Sequence, residues 1–422
     1  MNVDSLFSKL EAAFGSEKIT QEGLAETSPL ALSAVAMVSP KSVAEVVELV
    51  RFAESEGCAL SPRGGGTHQF TGYPLSPEKP VIVVSLAQFN TITDFQPEDM
   101  TITCDPGTTL AQVQTVAATR RLRLGLDVPL PSQATMGGIT STNTAGFMRL
   151  SFGTPRDTLI GVRAVMSEGR EVRGGGKVVK NVAGYDLCKL YTGAWGTVGI
   201  LTELTFKLTV VPDVETYLMW QMPDMETATK IGLELHHARL APLSLIATNE
   251  IEGKMGEATL VIGMMGTPAR VAWQSSDFAR RIEEAGVKSE AQSLSETSLS
   301  KLRDRQARLD DIFGVRLSVT LTELPLLTAK LGKPPLAMTA HCGVGTLSIA
   351  PAPDTDPAEV FRSLLPLLPK TGNTLWQKVP ADAPEDLARW GEVREDFALQ
   401  KLLKASLDPG KLFNPARFIG RL

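Results

Sequence analysis

The sequence predicts an α+β fold in more than one domain, on three observations. Its 422 residues, at about 150 per domain, make two or three domains. From about residue 28, helix-capping signals alternate with β-branched runs. After Pro212 the texture changes: four of the five tryptophans (Trp220, Trp273, Trp376, Trp390) lie beyond it. We therefore divide the chain into an N-terminal arm (1–27), a first domain (28–212) and a second (213–422).

Composition narrows the class. Hydrophobic residues at 43% and charged residues at 21% suit a soluble globular chain rather than a disordered one. The formal charge of −5 argues against a nucleic-acid binder, which needs a concentrated basic face. No apolar run reaches the roughly 18 residues of a membrane span. The opening MNVDSLFSKLEAAFG lacks the basic and long apolar regions of a signal peptide. Cys58, Cys104, Cys188 and Cys342 are scattered without CxxC spacing, so we expect no disulfides, a cytoplasmic location and no iron–sulfur cluster in this chain.

The elements follow in order. Residues 1–27 read as a short helix and a polar stretch, a packing arm. Ser42-Val43-Ala44-Glu45 is a capping box. Val43, Val46, Val47, Val50 and Ala53 then share one helical face, and Gly57 ends the helix. CALSPRGGG is a short strand breaking into a glycine turn, and VIVVSL (81–86) and TITCDP (101–106) are strands by their β-branched content. Thr109 to Gln112 opens a second boxed helix running to about Gly125. LIGVRAVMS and REVRGG form a hairpin around Glu168-Gly169, and ILTELTFKLTVV (200–211) is a long strand.

Three strings are rich in small residues. In PRGGGTHQFTG (62–72) three glycines permit positive φ and let amides converge, while Arg63 adds a fixed charge suited to phosphate. The string fits neither GxGxxG nor GxxxxGK[ST], and alone it reads equally as a tight turn or a phosphate cradle. PLPSQATMGGITSTNTAG (129–146) has little periodicity. A polar, low-volume stretch of this length either wraps a ligand or is a disordered lid. In KVVKNVAGYDLCKLYTGAWGTVGILTEL (177–204), Gly193, Gly196 and Gly199 recur every three residues before a strand. That leaves bare backbone for a flat or elongated ligand, or makes a sheet-edge turn. Taken together, the strings are what a long diphosphate nucleotide would need.

The order PRGGGT, ATMGGITSTNTAG, FGTPRDTLIGVRAVMSEGREV, GAWGTVGILTELTFKL resembles the FAD-binding domain of the vanillyl-alcohol oxidase superfamily. The closing LKASLDPGKLFNPARF (403–418) resembles that superfamily's carboxy-terminal signature. Within it, KNVAGYDLCKLYTGAWGTVG is similar to the FAD-containing E subunit of bacterial glycolate oxidase. The resemblance implies a two-lobed PCMH-type FAD-binding domain with a C-terminal α+β cap whose last segment returns to the flavin. It implies that Arg63, Gly64, Gly65, Gly66 and Thr67, in a loop with His68 and Gly72, hold the pyrophosphate. Pro131, Ala134, Thr135, Gly137, Gly138, Ser141, Asn143 and Gly146 would line the flavin and diphosphate. Gly199 and Ile200 would lie near the adenine and Asn414 near the isoalloxazine ring.

The chemistry so implied is flavin oxidation of a small 2-hydroxy acid, glycolate foremost. Relatives that tether FAD to a histidine place it directly after the glycines. Thr67 stands there in this chain, so a non-covalent flavin is expected. His236 and His237 end an amphipathic segment and read as surface residues. Related D-2-hydroxy-acid dehydrogenases carry a string like HxGDGNLH whose two histidines help hold a divalent metal. HCGVGTLSIAP (341–351) keeps His341, Gly343 and Gly345 but has Val344, Thr346 and Ser348 at the other positions. No metal is therefore expected, His341 reads as structural, and no residue stands out as the catalytic base. Two accounts of activity follow. The chain either is a FAD-binding subunit working beside a sister flavoprotein and an iron–sulfur subunit, or is a stand-alone dehydrogenase. A non-catalytic FAD-binding module is a third reading.

Overall fold

A computed structural model describes residues 3–22, 24, 30, 33–76, 78–177, 184–307, 311–332, 335–369 and 372–422. The stretch 180–183 of the KNVAGYDLCK string lies outside these residues.

Three large sheets and one two-stranded pairing organise the described residues. In the first, Ala34–Val38 and Ala59–Arg63 flank Val81–Ser85 in parallel, and Ile19–Thr20 adds an antiparallel edge. Val81–Ser85 is buried at every position, as a central parallel strand must be, which accounts for its unbroken VIVV run. Helices Val3–Phe14 and Val43–Ser55 supply its core with Leu6, Leu10, Val46, Leu49 and Val50. The second sheet is antiparallel, in the order Ile92–Gln96, Thr101–Cys104, Ile200–Lys207, Leu159–Val165, Glu171–Gly175. Glu168 and Gly169, with φ of 62° and 66°, turn the last hairpin; positive φ at both central residues matches the strand twist.

The third sheet has eight antiparallel strands drawn from residues 214–378. Strand alternation gives it two unlike faces. Val315, Leu317, Leu336, Met338, Ala340, Leu347, Ile349 and Trp376 point into a large core with helices Met225–His237, Pro268–Glu284, Glu323–Leu331 and Pro357–Leu364. Arg316, Thr339, His341, Thr346 and Ser348 alternate with them and so lie on the opposite face. Toward its Tyr217 and Ile246 end, that opposite face packs on Phe147.

Several local expectations shift in instructive ways. Ser42 Oγ accepts from Glu45 N at 3.3 Å, but the Glu45 carboxylate, drawn by Lys18 Nζ at 3.2 Å, accepts from Lys41 N instead of closing the box on Ser42. The Thr109–Gln112 box is complete. Its helix stops at Ala118, because Leu122–Arg123 pairs with Thr209–Val210. The aperiodic 129–146 stretch contains a helix, Met136–Thr142, capped by Thr135. It shows no clear amphipathic period because Gly137 and Thr140 share the buried face with Met136 and Ile139, while Gly138, Ser141 and Thr142 line the groove. No helix among the described residues is long and apolar enough to cross a membrane.

Candidate flavin site

The strand Ala59–Arg63 keeps its parallel register with Val81–Ser85 up to Arg63, whose carbonyl accepts from Leu86 N at 2.9 Å. The chain then runs free into Gly64-Gly65-Gly66. The 129–146 stretch is brought against it by main-chain bonds: Leu110 N to Ala134 O (3.0 Å), Met136 N to Thr108 O (2.7 Å) and Gly137 N to Pro106 O (2.8 Å). The two stretches touch. A β-carbon on Gly64 would lie 2.1 Å from Thr135 Oγ1, and one on Gly65 would lie 1.7 Å from Gln133 O. Only glycine permits that approach. The third string is tied to the same helix, Gly193 N donating to Thr140 O (3.0 Å) and Trp195 N to Ser141 O (2.8 Å).

These three strings line one groove together with Pro106, Leu201 and Arg417. Of the residues expected there, Arg63, Gly64, Gly65, Gly66, Thr67, His68, Thr135, Gly137, Gly138, Ser141 and Gly199 line it. The others stand behind it. Gly72 packs on Arg417 O, Gly146 packs on Asp127, and Ala134 and Ile200 are buried. The carbonyl of Pro131 accepts from Ala111 N, and the Asn143 side chain accepts from Arg156 N. Asn414 is buried and acts as a clamp: Ser61 Oγ donates to its Oδ1 (2.9 Å) and its Nδ2 donates to Trp195 O (2.9 Å). Trp195, Gln69, Pro106 and Arg417 also line the groove; none is among the residues expected there, although all four sit inside strings quoted above.

At one end of the groove His68 is held by both nitrogens, Nδ1 3.2 Å from Thr67 Oγ1 and Nε2 3.1 Å from Thr144 Oγ1. Its ring stands edge-on to Trp195 at 5.8 Å. Burial, with Arg316 and Arg417 nearby, pushes His68 down to about 3. Burial, with Arg149 and Arg316 nearby, does the same to His341. Burial raises Asp127 to about 7, although it accepts from Met148 N and Phe147 N and faces Arg303; Glu215 adds to the rise.

These three groups predict a pH response with a definite sign. Each histidine has an ordinary value of 6.5, so between pH 6.5 and about 3 the unfolded chain binds two protons that the folded chain does not. Asp127, ordinarily 3.8, is protonated in the fold over 3.8–7 and offsets one of them. The net uptake of one proton by the unfolded state makes these groups cost about 1.4 kcal/mol per unit as pH falls from 6 to 4.5. His341→Gln should bring their joint slope near zero in urea titrations across that range. An unchanged slope would mean the imidazole is charged in the fold.

Among the described residues no three His, Cys, Asp or Glu side chains are grouped to hold a metal ion. The cradle does suit a diphosphate, with bare amides where β-carbons are excluded, hydroxyls at Thr67 and Ser141, and the charge of Arg63.

Comparison with known proteins agrees with this geometry. Residues 34–175 match the FAD binding domain family. The chain is 29% identical over 210 residues to glycolate oxidase subunit GlcD of Bacillus subtilis, covering 50% of this chain and 44% of that one. It is 29% identical over 188 residues to subunit GlcE of Escherichia coli, covering 44% and 53%. It is 32% identical over 192 residues to D-2-hydroxyglutarate dehydrogenase of Stutzerimonas stutzeri, covering 46% and 41%. The chain thus spans about half the length of these relatives. In structure it is similar to p-cresol methylhydroxylase (TM-score 0.77, 15% identity, 98% of this chain and 96% of that one) and to alkyldihydroxyacetonephosphate synthase (0.74, 16%, 98% and 85%).

Proposed function

We propose that this chain, whose residues 34–175 match an FAD-binding domain, is the FAD-binding subunit of an assembly that oxidises a small 2-hydroxy acid, glycolate foremost. In this reading residues 28–212 hold the cofactor, 213–422 form the cap, and a sister flavoprotein and an iron–sulfur subunit are its partners in the cytoplasm. The observation that carries it is the contact between the two glycine-bearing stretches across one groove. Relatives named as glycolate oxidase subunits and as a 2-hydroxyacid dehydrogenase support the substrate class.

When bound, FAD supplies the electron-accepting ring. The protein's share is binding and exclusion. The main-chain amides of Gly64 to Thr67 would take the diphosphate, with Arg63 over Gly66. Gly137 and Gly138, whose amides already donate to Pro106 O and Thr135 Oγ1, would give close approach rather than donors, and Trp195 would wall one side. His68, with both nitrogens engaged, would leave the flavin non-covalently held.

The test is anaerobic addition of glycolate or D-lactate to the purified yellow protein, alone and co-purified with its native partners. Bleaching only in the complex is the expected result. Bleaching of the isolated chain would make it a stand-alone dehydrogenase, and a protein that takes up no flavin would end the reading.

A further inference from the structure

Beyond the flavin groove, the polar face of the eight-stranded sheet carries an unusual charge pattern. Arg316 stands mid-strand, between Ser348 on Thr346–Pro351 and Leu375 on Asn373–Lys378. Ser348 pairs in turn with Thr339, and Thr346 with His341. Arg316 and His341 therefore share one face two strands apart, separated by small hydroxyl side chains. His341 lies against Phe147, ring centroids 5.5 Å apart. Two residues further on, Arg149 starts the helix Arg149–Phe152, whose Leu150 packs on the turn at Gly343.

The groups that feel one another here are overwhelmingly basic. Arg149 acts on both His341 and Arg316, and Arg316 also acts on His68, which faces Arg417 as well. Among the described residues, the carboxylate that acts on these cations is Asp157, beside Arg149. It is committed to Thr154, accepting from its backbone N at 2.8 Å and its Oγ1 at 3.0 Å. Arg417 donates to Thr71 O and His68 O. No ion pair or hydrogen bond of the Arg316 guanidinium occurs among the described residues, although it is largely enclosed and only partly reached by solvent. His341 is 8% exposed, and its Nδ1 is buried without a hydrogen-bond partner. Partly enclosed like charges and an orphaned ring nitrogen cost free energy unless something complementary completes them.

We propose that Arg316, Arg149 and Nδ1 of His341 form an anion site on the sheet face turned toward His68, taking the carboxylate of a small 2-hydroxy acid. The Arg316 fork supplies two parallel donors to the carboxylate, Arg149 adds charge, and His341, neutral in the fold, meets the adjoining hydroxyl. The identity of this anion as substrate rests on the function proposed above; the site itself rests only on the side chains just described.

The probe is oxalate, a small dicarboxylate with no oxidisable carbon–hydrogen bond, titrated calorimetrically at pH 7 into FAD-loaded and flavin-free protein. One site per chain is expected, with a raised thermal midpoint. Arg316→Gln should weaken binding at least 100-fold and Arg149→Gln about tenfold, while Arg280→Gln, on the surface, should change nothing. Without oxalate, Arg316→Gln should raise the thermal midpoint, because a repelled cation is gone; an arginine with a merely structural role would lower it. Should Arg316→Gln fail to fold, Arg316→Lys, which keeps charge but loses the fork, and Arg149→Gln must show the loss. Equal oxalate affinity in these variants, or no binding to the folded parent, overturns the site. Arginine-dependent oxalate binding by a protein that takes up no FAD would uphold it and sink the cofactor reading instead.

Discussion

Gly65→Glu is expected to lower FAD affinity at least 100-fold, the largest effect of any single change in the groove. A β-carbon at this position would lie 1.7 Å from the Gln133 carbonyl oxygen. The contact is with main chain, so no rotamer change relieves it, and the 64–67 and 133–135 stretches must separate. Overpacking of this kind costs about 1–3 kcal/mol of stability, leaving a folded protein to measure. The carboxylate then adds a negative charge where a diphosphate would lie. Fluorescence titration with FAD, alongside circular dichroism, separates the two effects. Gly65→Ala carries the steric part alone and should lose about tenfold. Undiminished FAD affinity in Gly65→Glu would put the diphosphate elsewhere.

That pairing of loops also shows how far the sequence could be read. The three glycine-bearing strings were recognisable because removing side chains is a chemical statement about what must come close. Their convergence on one groove was therefore legible. The residues behind the groove were harder. Asn414, which the resemblance puts near the ring, has its amide engaged between Ser61 Oγ and Trp195 O. A buried asparagine that ties two backbones has the same sequence signal as one that touches a ligand. Met136–Thr142 was illegible as a helix, because its buried face mixes Gly137 and Thr140 with Met136 and Ile139 while Gly138, Ser141 and Thr142 face the groove, so composition does not separate the two faces. Arg316 offered a usable clue: in the alternating strand Gly-Val-Arg-Leu-Ser the charge falls in phase with the polar positions, marking a face that is enclosed yet not apolar.

Asp408→Ala is expected to cost about 3–5 kcal/mol, because the aspartate of the closing LDPGKLFNP string holds together a buried junction. Its side chain is fully buried and pairs with Lys404 Nζ at 2.5 Å, itself 11% exposed. Its oxygens accept from Leu412 N (2.8 Å) and Phe413 N (3.1 Å). Removing one member of a buried pair strands the other. Lys404 retains Thr197 O and Phe413 O as partners, which keeps the loss from exceeding that range. The consequence reaches the groove. Asp408 fixes the segment that lies beside Leu60, where Leu60 N donates to Leu412 O and Asn414 N to Leu60 O. Through Asn414 that segment joins the strand feeding the glycine cradle to the Trp195 wall. FAD affinity should therefore fall about tenfold in Asp408→Ala, even well below its unfolding midpoint. Asn414→Ala should give a similar loss of affinity at a smaller cost in stability. Urea unfolding with and without FAD decides the matter. A stability within 1 kcal/mol of the parent would show that the carboxylate is dispensable to the junction. An intact FAD affinity in both variants would show that the clamp does not shape the groove.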